Sequence, residues 1–218
     1  MSERAFSEWL EGPQGQCLRD WEKARFDVLV ADIFGYNALQ VGLPHIDLLE
    51  NNRMSWRVRT SQAIGGDVLH APHAMPFASA SLDLVLLPHV LEFSSAPHEV
   101  LREVERVLVP EGSVIITGIN PFSLWGVRRL AARSGTGYPW RGSYFSAPRI
   151  RDWLTLLGFE TRDSSFGCYR PPVSSARWQE RWRFMDGLGA RWWPICGGVY
   201  MLHGVKRVHG MRLIAPSW

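Results

Sequence analysis

The chain has 218 residues, 46% hydrophobic and 21% charged, with 11 Trp, 10 Phe and 5 Tyr. This composition supplies a large core and excludes a disordered chain. No apolar run approaches the ~20 residues that span a bilayer, the first residues lack a secretory apolar stretch, and three cysteines are too few for a disulfide framework. We therefore expect a single domain in the cytoplasm.

The charge is unevenly distributed. Residues 1–120 contain 9 Lys/Arg and 16 Asp/Glu, a net charge of −7, whereas residues 121–218 contain 15 Lys/Arg and 5 Asp/Glu, a net charge of +10. Eight of the 11 Trp also lie in residues 121–218. Two interpretations stay open for this Arg- and Trp-rich part. It is either a solvated face or a surface for an anionic acceptor or a membrane, with peripheral membrane contact at Arg191, Trp192 and Trp193.

The hydrophobic pattern predicts alternating helices and strands. Residues 1–32 have helical spacing with a break at Gly12-Pro13. Strands are predicted at 38–43, 55–60, 66–71, 82–88, 113–120, 159–167 and 199–207. Helices are predicted at 97–112, 123–133 and 147–158, with a loop at 134–145. This alternation indicates an α/β protein with a mainly parallel sheet and helices on both faces.

Several catalytic motifs are absent from the sequence. It contains no GxxxxGK[ST], GxSxG, HExxH or CxxC. His70 and His73 have the spacing of metal ligands, but no third ligand lies nearby, so no metal site is predicted.

Residues 75–121 carry the most specific pattern. Met75-Pro76-Phe77 and Ser81-Leu82-Asp83-Leu84-Val85 precede a buried strand, and Leu101-x-Glu103-x-x-Arg106-Val107-Leu108-x-Pro110-x-Gly112 precedes the next. The two blocks together resemble class I S-adenosylmethionine-dependent methyltransferases. The resemblance implies a Rossmann-like, seven-stranded, mostly parallel sheet of order 3-2-1-4-5-7-6 with an N-terminal helix pair and an antiparallel last strand.

The same resemblance implies the layout of the chain. Residues 1–218 would form one methyltransferase domain, in which 1–34 are the N-terminal helices, 35–120 the cofactor-binding core and 121–218 the substrate-side and C-terminal part. The implied cofactor is S-adenosyl-L-methionine. Its binding residues would be Gln40, Gly42, Leu43, Pro44, Ser61, Gln62, Ala71, His73, Met75, Leu87, Pro88 and His89.

The cofactor motif departs from the family pattern. The family has an acidic residue and a glycine-rich loop after its first strand, whereas this sequence has Gln40 and the single glycine Gly42. The acids expected after the second and third strands are replaced by Ser61-Gln62 and Ala71. Neutral hydrogen bonds contribute less than charged ones, so we expect micromolar or weaker affinity. We also expect Gln40→Glu to leave the fold intact, on the assumption that the crevice is open to water.

Methyl transfer depends mainly on positioning, so the absence of a catalytic triad does not argue against it. The residues considered for catalysis are His89, Glu92 and Tyr144. Trp125, Tyr138, Trp140 and Tyr144 are expected either to cover the cleft or to pack within the C-terminal part. The function implied is methyl transfer to an unidentified acceptor. The alternatives are a non-catalytic protein that binds a ligand or partner through its basic half, and an RNA methyltransferase, which is less favoured because there are only two lysines.

Overall fold

The computed structural model describes residues 2–61, 65–131, 139–173 and 175–208. Its helices are α1 (Ser2–Leu10), α2 (Pro13–Ala31), α3 (Val90–Phe93), α4 (Pro97–Val107), α5 (Leu124–Ala131), α6 (Ala147–Leu156), α7 (Ala176–Arg181) and α8 (Phe184–Trp192), followed by a 3-10 turn at Pro194–Cys196. Its strands are β1 (Asn37–Val41), β2 (Trp56–Ser61), β3 (Val68–Leu69), β4 (Leu82–Pro88), β5 (Leu108–Ile119), β6 (Phe159–Gly167) and β7 (Val199–Lys206).

The seven strands form one sheet in the order β3-β2-β1-β4-β5-β7-β6, which confirms the predicted order. β1 pairs in parallel with β2 and β4, β4 pairs in parallel with β5, and β7 runs antiparallel between β5 and β6. Ligands of open α/β sheets bind outside the carboxyl ends of the strands, where the strand order reverses. In this sheet that point lies between β1 and β4.

Both faces of the sheet are covered, as predicted, because alternate residues of a strand point to opposite faces. On β4, Val85 and Leu87 belong to the cluster that contains residues of α4 and α6, whereas Leu84 and Leu86 pack in the cluster with Phe26 of α2. A third cluster places α1 and α2 at the carboxyl end of the sheet, because Phe6, Leu10 and Leu18 pack with Leu43, Ile119, Trp125 and Val199.

Some predicted boundaries are wrong. The helix predicted at 97–112 ends at Val107, and β5 begins at Leu108 rather than at residue 113, because Leu108 already pairs with Leu82. The sequence also gave no prediction for α7 and α8. Residues 132–138, which include part of the predicted loop and Tyr138, lie outside the described residues. Among the described helices, none combines the length and hydrophobicity needed to cross a bilayer.

Candidate functional site

The turn after β1 has an unusual backbone. Gly42 and Leu43 both adopt left-handed conformations, with φ angles of 85° and 48°. Glycine reaches this region without steric cost, whereas a residue with a Cβ is strained there. The Gly42 N–H donates to the Thr60 carbonyl at 2.7 Å, which fastens the turn to β2. The chain therefore reverses sharply at the carboxyl end of β1, at the switch point of the sheet.

The side chain of Gln40 holds this turn in place through hydrogen bonds to its backbone. The side chain is fully buried, and its Nε2 donates to the carbonyls of Gly42, Leu43 and Ile46 at 3.1, 3.1 and 2.8 Å. Its Oε1 accepts from the Leu48 N–H at 3.0 Å. All the polar groups of the amide are thus used by the loop, and none is free for a nucleoside in this structure.

The burial of Gln40 corrects one sequence-based expectation. The sequence predicts that Gln40→Glu leaves the fold intact, on the assumption that the crevice is open to water. A carboxylate at this place would face three backbone carbonyls without water and would have no N–H to donate to them. The substitution therefore conflicts with the fold.

The remaining predicted cofactor residues occupy different places. Ser61 is buried at the end of β2, and Gln62 lies outside the described residues. The Pro44 carbonyl accepts from Arg59, and the Ala71 carbonyl contacts His70 Nδ1 at 2.8 Å. His73 is exposed. Met75 and Leu87 pack in the main core cluster. Of these predicted residues, none of the described ones lines the cavity described next.

A small cavity of about 30 Å³ lies between the Gly42–Leu43 turn and the end of β4. It brings together four of the predicted residues, Gly42, Leu43, Pro88 and His89. It is also lined by residues that the sequence analysis did not assign, namely Phe6, Val41, His70, Pro72, Val90 and Phe93. Ligand pockets are typically roughly 300–1,000 Å³, so in this conformation the cavity has no room for a nucleoside.

Phe6 of α1 accounts for much of this closure. Its side chain is buried, and its ring centroid lies 4.9 Å from that of His89 and 5.0 Å from that of Phe93. Trp9, one helical turn later, stacks on Phe6 and meets Trp125 edge-on at 5.8 Å. The helical spacing of Phe6 and Trp9 predicted a buried face, but nothing in it indicated that this face covers the switch point.

His70, in the cavity wall, has a buried ring nitrogen without a hydrogen-bond partner. Its Nδ1 lies 2.8 Å from the Ala71 carbonyl, so this nitrogen holds the proton and Nε2 is left as an acceptor. Nε2 is buried and has no hydrogen-bond partner. An adenine or ribose group would supply the missing donor. The polar and apolar groups of the cavity wall therefore suit a nucleoside. The volume of the cavity does not, as long as Phe6 occupies its present position.

His89 ends β4 in a left-handed conformation, with φ 54°, and it links three parts of the chain. Its Nδ1 lies 2.7 Å from Glu92 Oε2 on α3, and its Nε2 lies 2.8 Å from Glu22 Oε1 on α2. The second contact is at ion-pair distance, but its orientation does not make a hydrogen bond. Glu92 Oε1 accepts from the Ile119 N–H at the end of β5. All three side chains are buried.

This arrangement determines the protonation of His89. Burial alone would lower its pKa, but the charges of Glu22 and Glu92 outweigh burial and raise the pKa to about 10. The imidazole is therefore protonated at neutral pH, and both of its nitrogens face carboxylates. In this conformation His89 cannot accept a proton from an acceptor, and both oxygens of Glu92 are also engaged.

The third residue considered for catalysis, Tyr144, is similarly held. Its hydroxyl donates to the Pro139 carbonyl at 3.2 Å, and the Arg129 guanidinium lies 4.7 Å from its ring centroid. Burial, followed by the nearby charge of Glu92, raises the pKa of Tyr144 well above its usual range. Trp140 and Tyr144 pack against the third cluster, to which Trp125 belongs. Trp125, Trp140 and Tyr144, here called the aromatic roof, are packing residues of this cluster rather than proton carriers.

A sequence profile described as a methyltransferase domain matches residues 43–116, which span the turn after β1, the end of β4 and most of β5. This match agrees with the resemblance of residues 75–121 to class I methyltransferases. It is also 32% identical over 159 residues to the uncharacterized protein YafS of Escherichia coli strain K12. That alignment covers 72% of this chain and 66% of YafS, slightly less than two thirds of the relative's length.

Solved structures agree with the class I methyltransferase fold. A chain from the complex between the Trm112 methyltransferase activator of Haloferax volcanii and a methyltransferase aligns with a TM-score of 0.66 and 13% identity, covering 97% of this chain and 100% of that one. A methyltransferase from Thermotoga maritima that depends on S-adenosylmethionine aligns with a TM-score of 0.63 and 14% identity. This alignment covers 94% of the present chain and 99% of the Thermotoga chain. At these identities the likeness concerns the fold alone.

Proposed function

We propose that this protein transfers a methyl group from S-adenosylmethionine to an acceptor, and that α1 must leave the cleft before the cofactor enters. One observation carries the proposal. A cavity at the switch point lies between two left-handed turns, at Gly42–Leu43 and at His89, and its wall contains the unpartnered His70 Nε2. The class I family binds its methyl donor at this place.

Several residues of the cavity wall would contact S-adenosylmethionine, each in a different way. His70 Nε2 would accept a hydrogen bond from the nucleoside, and the backbone of Gly42 and Leu43 would approach it closely. Pro72 and Val90 would supply apolar contacts. When bound, S-adenosylmethionine would supply a methyl group that is activated by its positively charged sulfonium. Phe93 and the aromatic roof would exclude water.

The protonation of the site bears on the acceptor. His89 is protonated, Glu92 is doubly engaged and the pKa of Tyr144 is raised. None of the three offers a free base in this conformation. The acceptor we propose is therefore one whose nucleophilic atom needs no strong base, and catalysis would come from orientation.

The test is calorimetry with S-adenosylmethionine and S-adenosylhomocysteine on the wild type and on Phe6→Ala. Because the apparent affinity falls with the fraction of open molecules, we expect micromolar or weaker binding to the wild type and at least tenfold tighter binding to Phe6→Ala. Phe26→Ala is the matched control, since it removes the same fully buried ring from α2 in the second cluster. It should not tighten binding.

The non-catalytic alternative makes a different prediction in this experiment. The neutral residues at the ends of β1 to β3 and the closed cleft favour a non-catalytic protein of the same fold. If folded Phe6→Ala fails to bind either nucleoside at millimolar concentration, methyl transfer is contradicted and the non-catalytic function is supported. Tight binding to the wild type would instead contradict closure by Phe6. An RNA acceptor is the second alternative, and it rests on the basic residues 121–218.

A further inference from the structure

A second, larger concavity lies away from the cofactor cleft. It is a groove of about 520 Å³, lined by side chains from α5, α8 and the residues that flank them. We name it the α5–α8 face and define it by Phe122, Leu124, Val127, Phe184, Leu188 and Trp193. All six side chains are apolar, and all six are exposed.

The exposed apolar surface extends beyond the groove. Phe122 is 73% exposed and Trp193 60%, and Leu130, Trp192 and Ile195 continue the apolar surface with exposures of 84%, 67% and 66%. Single exposed apolar residues are ordinary, but contiguous patches of this kind mark an interaction surface.

Basic residues flank this face along the chain. Residues 175–196 contain four Arg and two acids, and α5 adds Arg128 and Arg129. The two acids already have Arg partners, since Glu180 pairs with Arg183 at 3.3 Å and Asp186 with Arg170 at 2.6 Å. The face therefore combines exposed Trp, Phe and Leu side chains with an excess of guanidinium groups.

We propose that the α5–α8 face docks peripherally on an anionic lipid bilayer. Trp favours the boundary between headgroups and acyl chains, and Arg extends from apolar surface to the phosphate level. Amphipathic surfaces with these two features bind anionic membranes. The −7 charge of residues 1–120 opposes any approach through that half and so favours an orientation with the α5–α8 face towards the lipid.

A second copy of the chain fits this face less well. A two-fold interface would place the same patch on both subunits and bring Arg against Arg. A bilayer of anionic lipid provides the opposite charge over the whole patch. The proposal is independent of methyl transfer and makes no statement about the acceptor.

The proposal is tested by cosedimentation of the full chain with vesicles. We expect binding to phosphatidylcholine vesicles that contain one third phosphatidylglycerol, at low salt, and little binding to phosphatidylcholine alone. The double variant Phe184→Ser/Trp193→Ser should lose at least tenfold in affinity. Arg128→Gln/Arg191→Gln should weaken binding at low salt and matter less at high salt, where charges are screened.

Leu156→Ser is the matched control, because Leu156 is 84% exposed but lies on α6, outside the groove. It should bind like the wild type, and circular dichroism should show that all variants are folded. Failure of the wild type to bind anionic vesicles would overturn the proposal. Equal binding to both vesicle types would overturn the assignment to anionic lipid. A dimer that forms without vesicles and is lost in Phe184→Ser/Trp193→Ser, with no vesicle binding, would assign the face to a second copy.

Discussion

Replacing Gln40 with glutamate is expected to destabilise the protein by roughly 3–5 kcal/mol. A buried carbonyl deprived of its donor costs about 1–3 kcal/mol, and the total for three carbonyls stays in the lower half of its range because they share two N–H groups. The Gln40 Nε2 donates to the carbonyls of Gly42, Leu43 and Ile46, and a carboxylate cannot replace it. In a domain of this size the loss corresponds to a decrease in Tm of roughly 6–20 °C. Thermal unfolding followed by circular dichroism measures it.

Gln179→Glu serves as the comparison for this substitution. Gln179 is also buried, but its Nε2 donates to one carbonyl, that of Val173, at 2.9 Å. Its replacement should therefore lower Tm by a clearly smaller amount. An unchanged Tm in Gln40→Glu would mean that the turn opens and the carboxylate reaches water, as the sequence alone suggested.

The His89 ion network is expected to make stability depend on pH. The pKa of His89 is about 10 in the folded protein, against an ordinary value of about 6.5 in the unfolded chain. The folded state thus keeps a proton that the unfolded state releases. The stabilisation is fully present below about pH 6.5, decreases as the pH rises, and is lost once the pH passes about 10. Urea unfolding from pH 6 to 10.5 measures the trend.

His89→Asn isolates this contribution, because Asn tolerates the left-handed backbone at position 89. It leaves Glu22 and Glu92 buried without their cation, which costs about 3–5 kcal/mol. We therefore expect His89→Asn to lower the free energy of unfolding strongly near pH 7. The difference in unfolding free energy between wild type and variant should shrink towards pH 10. His45→Asn, at an exposed loop position, should reproduce the wild-type curve. Parallel curves for the wild type and His89→Asn would contradict a charged His89.

The sheet was predictable because its signals are local. Three features follow one another along the chain at the spacing typical of the class I family. They are the continuous apolar run of β4, the amphipathic helix α4 and the Pro110–Gly112 segment. Together they gave the strand order, including the antiparallel insertion of β7. The start of β5 was missed because Val109-Pro110-Glu111-Gly112 resembles the end of a helix more than the start of a strand.

The closure of the cleft was not predictable, because it depends on contacts between distant residues. The spacing of Phe6 and Trp9 indicates which side of α1 is buried, but not what it is buried against. Glu22 and His89 are 67 residues apart, and neither has a local feature that marks a partner. Gln40 stood where the family has an acid, and its use by the loop became visible only in the folded chain.

The position of the N-terminal helices has a consequence for the order in which the chain folds. α2 touches the far edge of the sheet, where Cys17 Sγ lies 3.7 Å from Cys168 Sγ and Arg25 Nε reaches Ser165. These contacts join residues 151 and 140 positions apart, and β7, synthesised later still, lies between β5 and β6. Such long-range contacts form late because loop closure must come first. The contacts of α2 with this edge therefore form among the last, although α2 leaves the ribosome early, and nascent chains ending before residue 199 should lack them.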